Sequence, residues 1–247
     1  MTSSPSAPTI IRTLDASITT FSRPFSRFSV FPVGIRMSAV RLGNGDLFLL
    51  SPTPLDAPTT EKLEQLGGVK YLVCPNVVHH LYVGEYKKRW PEAKIIGVPG
   101  LREKRNDLEF DGIMGEKGSV DKLFGFENEI EHRHFAGSGN QDTLYLHRPT
   151  NTLLTADLLF NMPPTDQYPP GHSFNVVLRA IYSTLKPNSG MHRFFSRYLN
   201  TSNVAEMRKD VKYIAENWRF ERIVPCHGGI IEEGGEQAFR EAFAWYL

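Results

Sequence analysis

The chain has 247 residues, with 28 Lys and Arg against 27 Asp and Glu for a net charge of +1. That balance gives no reason to expect nucleic acid or a membrane as the main partner, and leaves a small-molecule substrate open. Apolar residues make up 40% and charged residues 22%, the composition of a folded globular chain, and one long enough to bury a core without disulfides. Two cysteines, Cys74 and Cys226, cannot form a disulfide framework and suit a reducing compartment, so the cytoplasm is the expected location. No apolar run approaches the roughly 18 residues that span a bilayer, and the start lacks the apolar stretch of a secretory signal. The first 28 residues are rich in Ser and Thr, with Arg12, Arg23 and Arg27 against Asp15. This weakly resembles a mitochondrial transit peptide, but alternating apolar and polar residues from Ile18 to Phe28 read better as a first strand behind a frayed tail.

Two alternating segments, residues 36–42 and 46–50, flank Gly43-Asn44-Gly45, where Asn-Gly supplies the positive φ angles of a hairpin. Thr59 or Thr60 caps a helix to Leu66, which Gly67-Gly68 ends. Residues 69–74 form a short buried strand bounded by Pro75, and residues 82–90 a helix with an aromatic and basic face, stopped by Pro91. A strand over residues 94–98 and a charged helix near 101–105 continue a strand–helix alternation that argues for a layered α/β sheet. Residues 106–120 have few apolar anchors and read as loop. Strands over 130–135, 143–146 and 152–156 follow, the last two joined by a turn-rich link suited to a β-meander. Residues 161–172 hold four prolines and a glycine and form a further loop. Helical patterns run to about Trp218, with a strand over 222–225 and a closing amphipathic helix over 237–247. The expected organisation is a tail and first strand over 1–28, then one domain over 29–247 with a helical insert near 171–217.

Polar residues cluster where strands end. His79 and His80 follow one buried strand, His134 another; Asp157 closes Leu153-Leu154-Thr155-Ala156, and His227 follows Ile223-Val224-Pro225-Cys226. Strand ends of open α/β sheets are where loops aim side chains into one crevice. Imidazole and carboxylate together suit zinc, iron or manganese, and the glycines after His134 and His227 allow close backbone approach. His132 shares a strand face with His134, as exposed polarity or a substrate contact. His147 sits in a turn and is expected to be solvated. His172 and His192 fall in the helical insert, where the proline-rich loop with Phe174 and Tyr182 can form an apolar lid. Lys87, Lys88 and Arg89 read as a solvated helix end.

This order and spacing resemble the metallo-β-lactamase superfamily over roughly residues 35–230, particularly its divergent stand-alone members. The resemblance implies a single-domain αββα sandwich. Against the family's His-x-His-x-Asp-His motif stand Pro75, Asn76, Val77, Val78, His79 and His80. His80 alone matches; two histidines are replaced by Pro75 and Val77, and the aspartate by His79. His134 in Arg-His-Phe-Ala-Gly-Ser resembles the family's next histidine, Asp157 its bridging aspartate and His227 its last histidine. The resemblance thus implies a first metal position stripped to His134. The second position has His79, His80, Asp157 and His227 as candidate ligands, a sensible set for one divalent ion.

The function so implied is a metal-dependent hydrolase that attacks an ester, thioester or lactone through a metal-bound hydroxide. Zinc is the first choice of ion, with iron or manganese as alternatives, and Asp157 or His134 orients water or carries protons. Two rivals remain: a catalytically inactive binding protein that kept the fold, and a redox metal protein. The fold itself does not choose among them, and the oligomeric state is not legible.

Overall fold

A computed structural model describes residues 8–27, 30–116 and 123–247. The start of the expected tail, Phe28 at the end of the expected first strand, the 28/29 boundary and residues 117–120 of the expected 106–120 loop lie outside them. The described chain begins with β1 (Ile10–Thr13), β2 (Ile18–Arg23), the short pair β3 (Ser26–Arg27) and β4 (Phe31–Pro32), then β5 (Ile35–Arg41) and β6 (Asp46–Leu50). Gly43-Asn44-Gly45 makes the expected β5–β6 hairpin, with Gly45 at φ +88 and the Asn44 side chain accepting from the Asp46 N–H.

Helix α1 (Ala57–Leu66) is capped by Asp56, which accepts from the Thr59 N–H at 2.9 Å, not by a threonine. A carboxylate can accept from the orphan first-turn donors, so the helix begins one turn before the threonines. Then come β7 (Gly68–Val73), α2 (Val83–Arg89), β8 (Lys94–Gly97), α3 (Leu101–Lys104) and β9 (Gly112–Ile113), a two-residue strand inside the expected loop. Strands β10 (Ile130–His134), β11 (Thr143–His147) and β12 (Thr152–Thr155) lead into the helical insert: α4 (Val176–Ser183), α5 (Gly190–Phe194), a π turn over Phe195–Leu199, and α6 (Val204–Asn217). Strand β13 (Arg222–Pro225) and α7 (Gly235–Ala242) finish the chain.

Two sheets stack face to face. One runs β1-β2-β5-β6-β7-β8-β9, the other β10-β11-β12-β13. Strand parity divides the second sheet cleanly: Tyr145, Leu154 and Val224 pack inward against the first sheet, while Leu144, Leu153 and Ile223 pack outward on α6 and α7. That is the αββα sandwich, its core placed by the two-residue alternation of the strands. At its centre the Phe48 ring meets Tyr71 from the same sheet, Phe126, and Tyr145 from the other, with centroids 5.0–6.4 Å apart. His147, expected in a solvated turn, is fully buried at the end of β11, its Nδ1 2.8 Å from Thr150 Oγ1. The strand runs one residue further than the turn-rich link suggested.

Each sheet contributes one parallel pair to the future site. Strands β6 and β7 run parallel, so Ser51 and the segment leading to His79 leave the same edge. Strands β12 and β13 also run parallel, so Asp157 and His227 leave together. Parallel neighbours present their carboxyl ends side by side, which is why four separate stretches of sequence meet here.

Because Phe48 is fully buried and joins the two sheets, Phe48→Ala should lower unfolding free energy by about 3–5 kcal/mol. A urea titration followed by tryptophan fluorescence measures this; a loss below about 1 kcal/mol would mean that the sheets do not depend on this cluster.

Candidate metal centre

Asn76 decides where the segment after β7 points. Its Oδ1 accepts from the backbone N–H of Val78 and of His79, both at 3.0 Å, fixing a tight turn. That turn brings His79 to Ser51 and Asp157, and leaves the next residue, His80, against Arg105. The His79 ring is held at both nitrogens: Nδ1 lies 2.7 Å from Ser51 Oγ, and Nε2 3.2 Å from Asp157 Oδ1.

His227 approaches the same oxygen from β13, its Nε2 3.3 Å from Asp157 Oδ1. Its Nδ1 lies 2.6 Å from the Gly34 carbonyl. A carbonyl only accepts, so Nδ1 donates to Gly34, and the ring so fixed turns Nε2 towards the carboxylate. Two imidazole nitrogens thus converge on one carboxylate oxygen. The other oxygen, Oδ2, accepts from Asn76 Nδ2 at 3.0 Å and Asn140 Nδ2 at 3.1 Å.

The loop carrying His227 is clamped. The Arg36 guanidinium, fully buried in β5, donates through one nitrogen to the Pro225 carbonyl at 2.6 Å and the Gly228 carbonyl at 2.8 Å, and through Nε to Ser22 Oγ. Gln167 closes the other side, donating to the Cys226 carbonyl and accepting from the Gly228 N–H, both at 2.8 Å. Gly228 itself has φ +93, and a Cβ there would lie 2.1 Å from the Asn161 carbonyl oxygen, so only glycine fits.

The charges follow from this packing. Burial alone would lower the His79 imidazole, but the Asp157 carboxylate against it and a contact with Cys226 hold it well above its ordinary value. Burial alone would raise Asp157, and the two histidines hold it well below the usual carboxylate range. Behind it, Asp142 is pushed up to about 7 by burial and by the neighbouring Asp157 carboxylate. Asn76 Nδ2 bridges the two acids, reaching Asp142 Oδ1 at 2.8 Å.

Of the five ligands expected from sequence, the structure gathers His79, Asp157 and His227, whose donor atoms all lie within 4.8 Å of one another. His80 stands outside. Its carbonyl accepts from the Arg105 guanidinium at 2.6 Å, its ring Nδ1 lies 3.4 Å from the same group, and burial with the Lys104 and Arg105 charges pushes it down to about 4. His134, expected as both ligand and catalytic group, also stands outside. Its Nδ1 lies 3.1 Å from Thr143 Oγ1, burial pushes it down to about 4, and its ring fills the room a side chain on Gly115 would need. His132 packs against Phe126 and Tyr145. Sequence reasoning missed Asn140, Asp142, Gln167 and Arg36. Only Arg36 left a trace, as a charged residue on an alternating strand, facing Ser22 in the register.

Two imidazoles and a carboxylate form the donor set of open catalytic zinc sites and of non-haem iron(II) sites. The 3.2 and 3.3 Å separations approximate the edge of a tetrahedron with ligand bonds of about 2.0–2.1 Å. Both rings also have their other nitrogen fixed by a protein oxygen, as orienting partners of ligands do. The residues fit a divalent ion. They sit on the floor of a cavity of about 520 Å³ walled by apolar groups such as Phe25, Phe31, Val33, Phe160, Met162 and Phe195.

A family model described as "Domain of unknown function (DUF4336)" matches residues 17–171. The chain belongs to that family. No curated protein sequence matches this DUF4336 member. Among solved structures it is similar to a metallo-β-lactamase from Hirschia baltica, 10% identical over 97% of this chain and 98% of that one, with a TM-score of 0.63. It is also similar to the metallo-β-lactamase FIM-1 from Pseudomonas aeruginosa in its mono-zinc form, 11% identical over 97% and 95%, with a TM-score of 0.60. The flavodiiron core Flv1 from Synechocystis sp. PCC6803 is 17% identical over 98% of this chain and 62% of that chain, with a TM-score of 0.65. The fold of this DUF4336 chain is therefore that of the metallo-β-lactamases. No helix among the described residues is long and apolar enough to cross a membrane.

Two measurements address the centre. The Asp157 carboxylate and the Cys226 contact raise the His79 imidazole well above its ordinary value in the metal-free chain, and a ligand must be deprotonated, so zinc should bind as one equivalent with release of protons. Affinity should then rise with pH until His79 has titrated; calorimetry in buffers of different ionisation enthalpy reads the proton count, and a count of zero would remove His79 from the ligand set. In Arg36→Met the Pro225 and Gly228 carbonyls lose their donor, so stability should fall by about 2–5 kcal/mol and zinc affinity about 10–100-fold. Unchanged zinc affinity in folded Arg36→Met would show that His227 does not need the clamp.

Proposed function

We propose that the chain is a single-metal hydrolase acting on an apolar ester, thioester or lactone. The observation that carries this is the convergence of His79 and His227 on Asp157 at the floor of a largely apolar cavity. His79, Asp157 and His227 would hold the ion, with zinc the first candidate. Bound there, a divalent ion would supply Lewis acidity, polarising a carbonyl and easing deprotonation of water.

The chain's own residues do the rest. Asn76 and Asn140 hold one oxygen of Asp157 so that the other stays aimed at the two rings. Ser51 and the Gly34 carbonyl fix the ring planes. Asn140 and Asn200 line the same floor and offer amide groups to a polar group brought there. The Phe25, Phe31, Phe160 and Phe195 walls exclude water and favour hydrocarbon, at about 0.8 kcal/mol per buried CH₂. Substrate preference therefore lies in the apolar part of the acyl group and the chemistry in the polar floor. The P. aeruginosa lactamase in its mono-zinc form supports one ion as sufficient for the fold.

A second reading, a redox iron protein, draws on the same trio, since two imidazoles and one carboxylate also suit iron(II), and on the likeness to a flavodiiron core.

A series of p-nitrophenyl esters with matching thioesters and lactones separates these readings. With zinc, kcat/KM should rise about three- to fourfold per added CH₂ until the cavity is filled, and Asp157→Ala should lower it at least about 100-fold. Zinc-loaded protein without turnover in any of the three classes would overturn the hydrolase, and oxygen consumption by iron-loaded protein alone would favour the redox reading.

A further inference from the structure

The cavity carries exposed apolar side chains at its rim as well as buried ones in its walls. Leu81 and Leu199 line the cavity yet remain 41% and 67% exposed, and Val30, beside the lining residue Phe31, is 79% exposed. The helical insert extends this surface. Helix α4 packs Leu178 and Tyr182 into the cluster behind the cavity and leaves Val176, Val177 and Ile181 uncovered. At helical spacing these three, with Ala180, form one continuous arc, and Leu185, which lines the cavity, follows Ile181 one turn on. Met191, Phe194 and Tyr198 are exposed on α5 and the π turn. In all, seven of the thirteen exposed large apolar side chains among the described residues fall within residues 176–199. Large apolar side chains left exposed in such concentration mark an interaction surface.

Charge says which partner. Residues 171–203 hold Arg179, Lys186, Arg193 and Arg197, four of the chain's 28 Lys and Arg, and none of its 27 Asp and Glu. Among the described residues no acid pairs with any of the four. Arg193 donates to the Glu241 and Asn188 carbonyls, and Arg197 lies over the Tyr198 ring, so both keep their charge without a counter-ion. The near-zero net charge, which argued against a membrane, conceals this segregation.

We infer that this face docks on an anionic lipid surface, with the cavity mouth turned towards it. Exposed aliphatic and aromatic side chains flanked by unpaired cations are what an interfacial helix presents to acidic headgroups. A second copy of the chain fits less well, because a two-fold contact would set the same four cations against themselves. If the hydrolase reading holds, an apolar acyl substrate would pass from the lipid to the cavity without crossing water.

Flotation with phosphatidylcholine vesicles, with and without about one-third phosphatidylglycerol, tests the docking directly. The protein should float with the anionic vesicles and lose affinity as salt rises. Val177→Asp/Ile181→Asp should weaken binding at least about tenfold. Arg179→Gln/Lys186→Gln, two exposed positions whose replacement spares the fold, should weaken it about fivefold per charge removed. No flotation, or equal flotation with both vesicle types that neither variant changes, overturns the inference. So does a dimer in sedimentation that Val177→Asp/Ile181→Asp dissolves while wild type ignores vesicles; that result assigns the face to a second copy. Flotation needs neither metal nor turnover, so its failure and that of the hydrolase reading are separate results.

Discussion

Everything at the centre of this protein depends on a buried guanidinium. Arg36 sits in β5, in the larger sheet, yet its hydrogen bonds end on the Pro225 and Gly228 carbonyls at the tip of the smaller one. It therefore joins the two layers through backbone atoms on either side of His227. A buried cation is costly unless paired and hydrogen-bonded, and burial does pull Arg36 down to about 10, with Asp166, 3.7 Å from its remaining terminal nitrogen, opposing the shift. At neutral pH it still carries its charge. The cost of keeping it there is offset only while the 225–228 loop holds its shape, so the loop and the cation enforce one another. His227 inherits that rigidity, and its Nδ1 contact with Gly34, just before β5, ties it to the same strand.

Asp157 shows the complementary logic of a buried anion. Four side chains hold it, two amides on one oxygen and two imidazoles on the other. With Asp142 behind it, two carboxylates share the bridging amide of Asn76, and like charges this close cannot both ionise cheaply. The burden falls on Asp142, pushed up to about 7, while Asp157 stays ionised. The supporting acid thus holds a proton more readily, and the acid facing the cavity less readily, than an ordinary carboxylate. Ser138, which donates to Asp142, and the Asp157 N–H, which donates to the same acid, complete the support.

Much of this was legible from the order of residues, for reasons that can be named. Alternation exposes strands, and strand ends attract polar groups, so the edge where His79, Asp157 and His227 meet could be read before any coordinates. The division between His79 and His80 could not. Adjacent residues leave a turn in different directions, and the direction here is set by Asn76 accepting from two backbone N–H groups, which no periodicity encodes. His134 was misleading for another reason: a histidine in the resembled position can be kept for packing, and here its ring occupies the room left by Gly115. Arg36 and Gln167 act on carbonyls and N–H groups far away in sequence, and backbone partners leave no mark in composition. The basic apolar surface of the insert was hidden by averaging, since a total charge of +1 says nothing about where the charges lie.

The departures from the resembled motif are coherent when followed through the backbone. Pro75 and Val77 stand where two histidines would be, and neither position is slack. The Pro75 carbonyl accepts from the Thr143 N–H at 2.8 Å, the Val77 N–H donates to the Asn140 carbonyl at 3.1 Å, and Lys104 donates to the Val77 carbonyl at 2.7 Å. Thr143, whose backbone holds Pro75, also holds the His134 ring through its hydroxyl. The segment that would have carried a first metal position is thus sewn to β11 and the loop before it, with a cation resting on its carbonyl. A lysine placed there is compatible with a stapled loop and hostile to a second divalent ion. Restoring histidine at position 77 alone would leave Lys104 and the Thr143 contacts in place. The Pro75–Val77 segment is therefore fixed by the packing around it, while Asn76, Arg36 and Gln167 frame the trio of His79, Asp157 and His227.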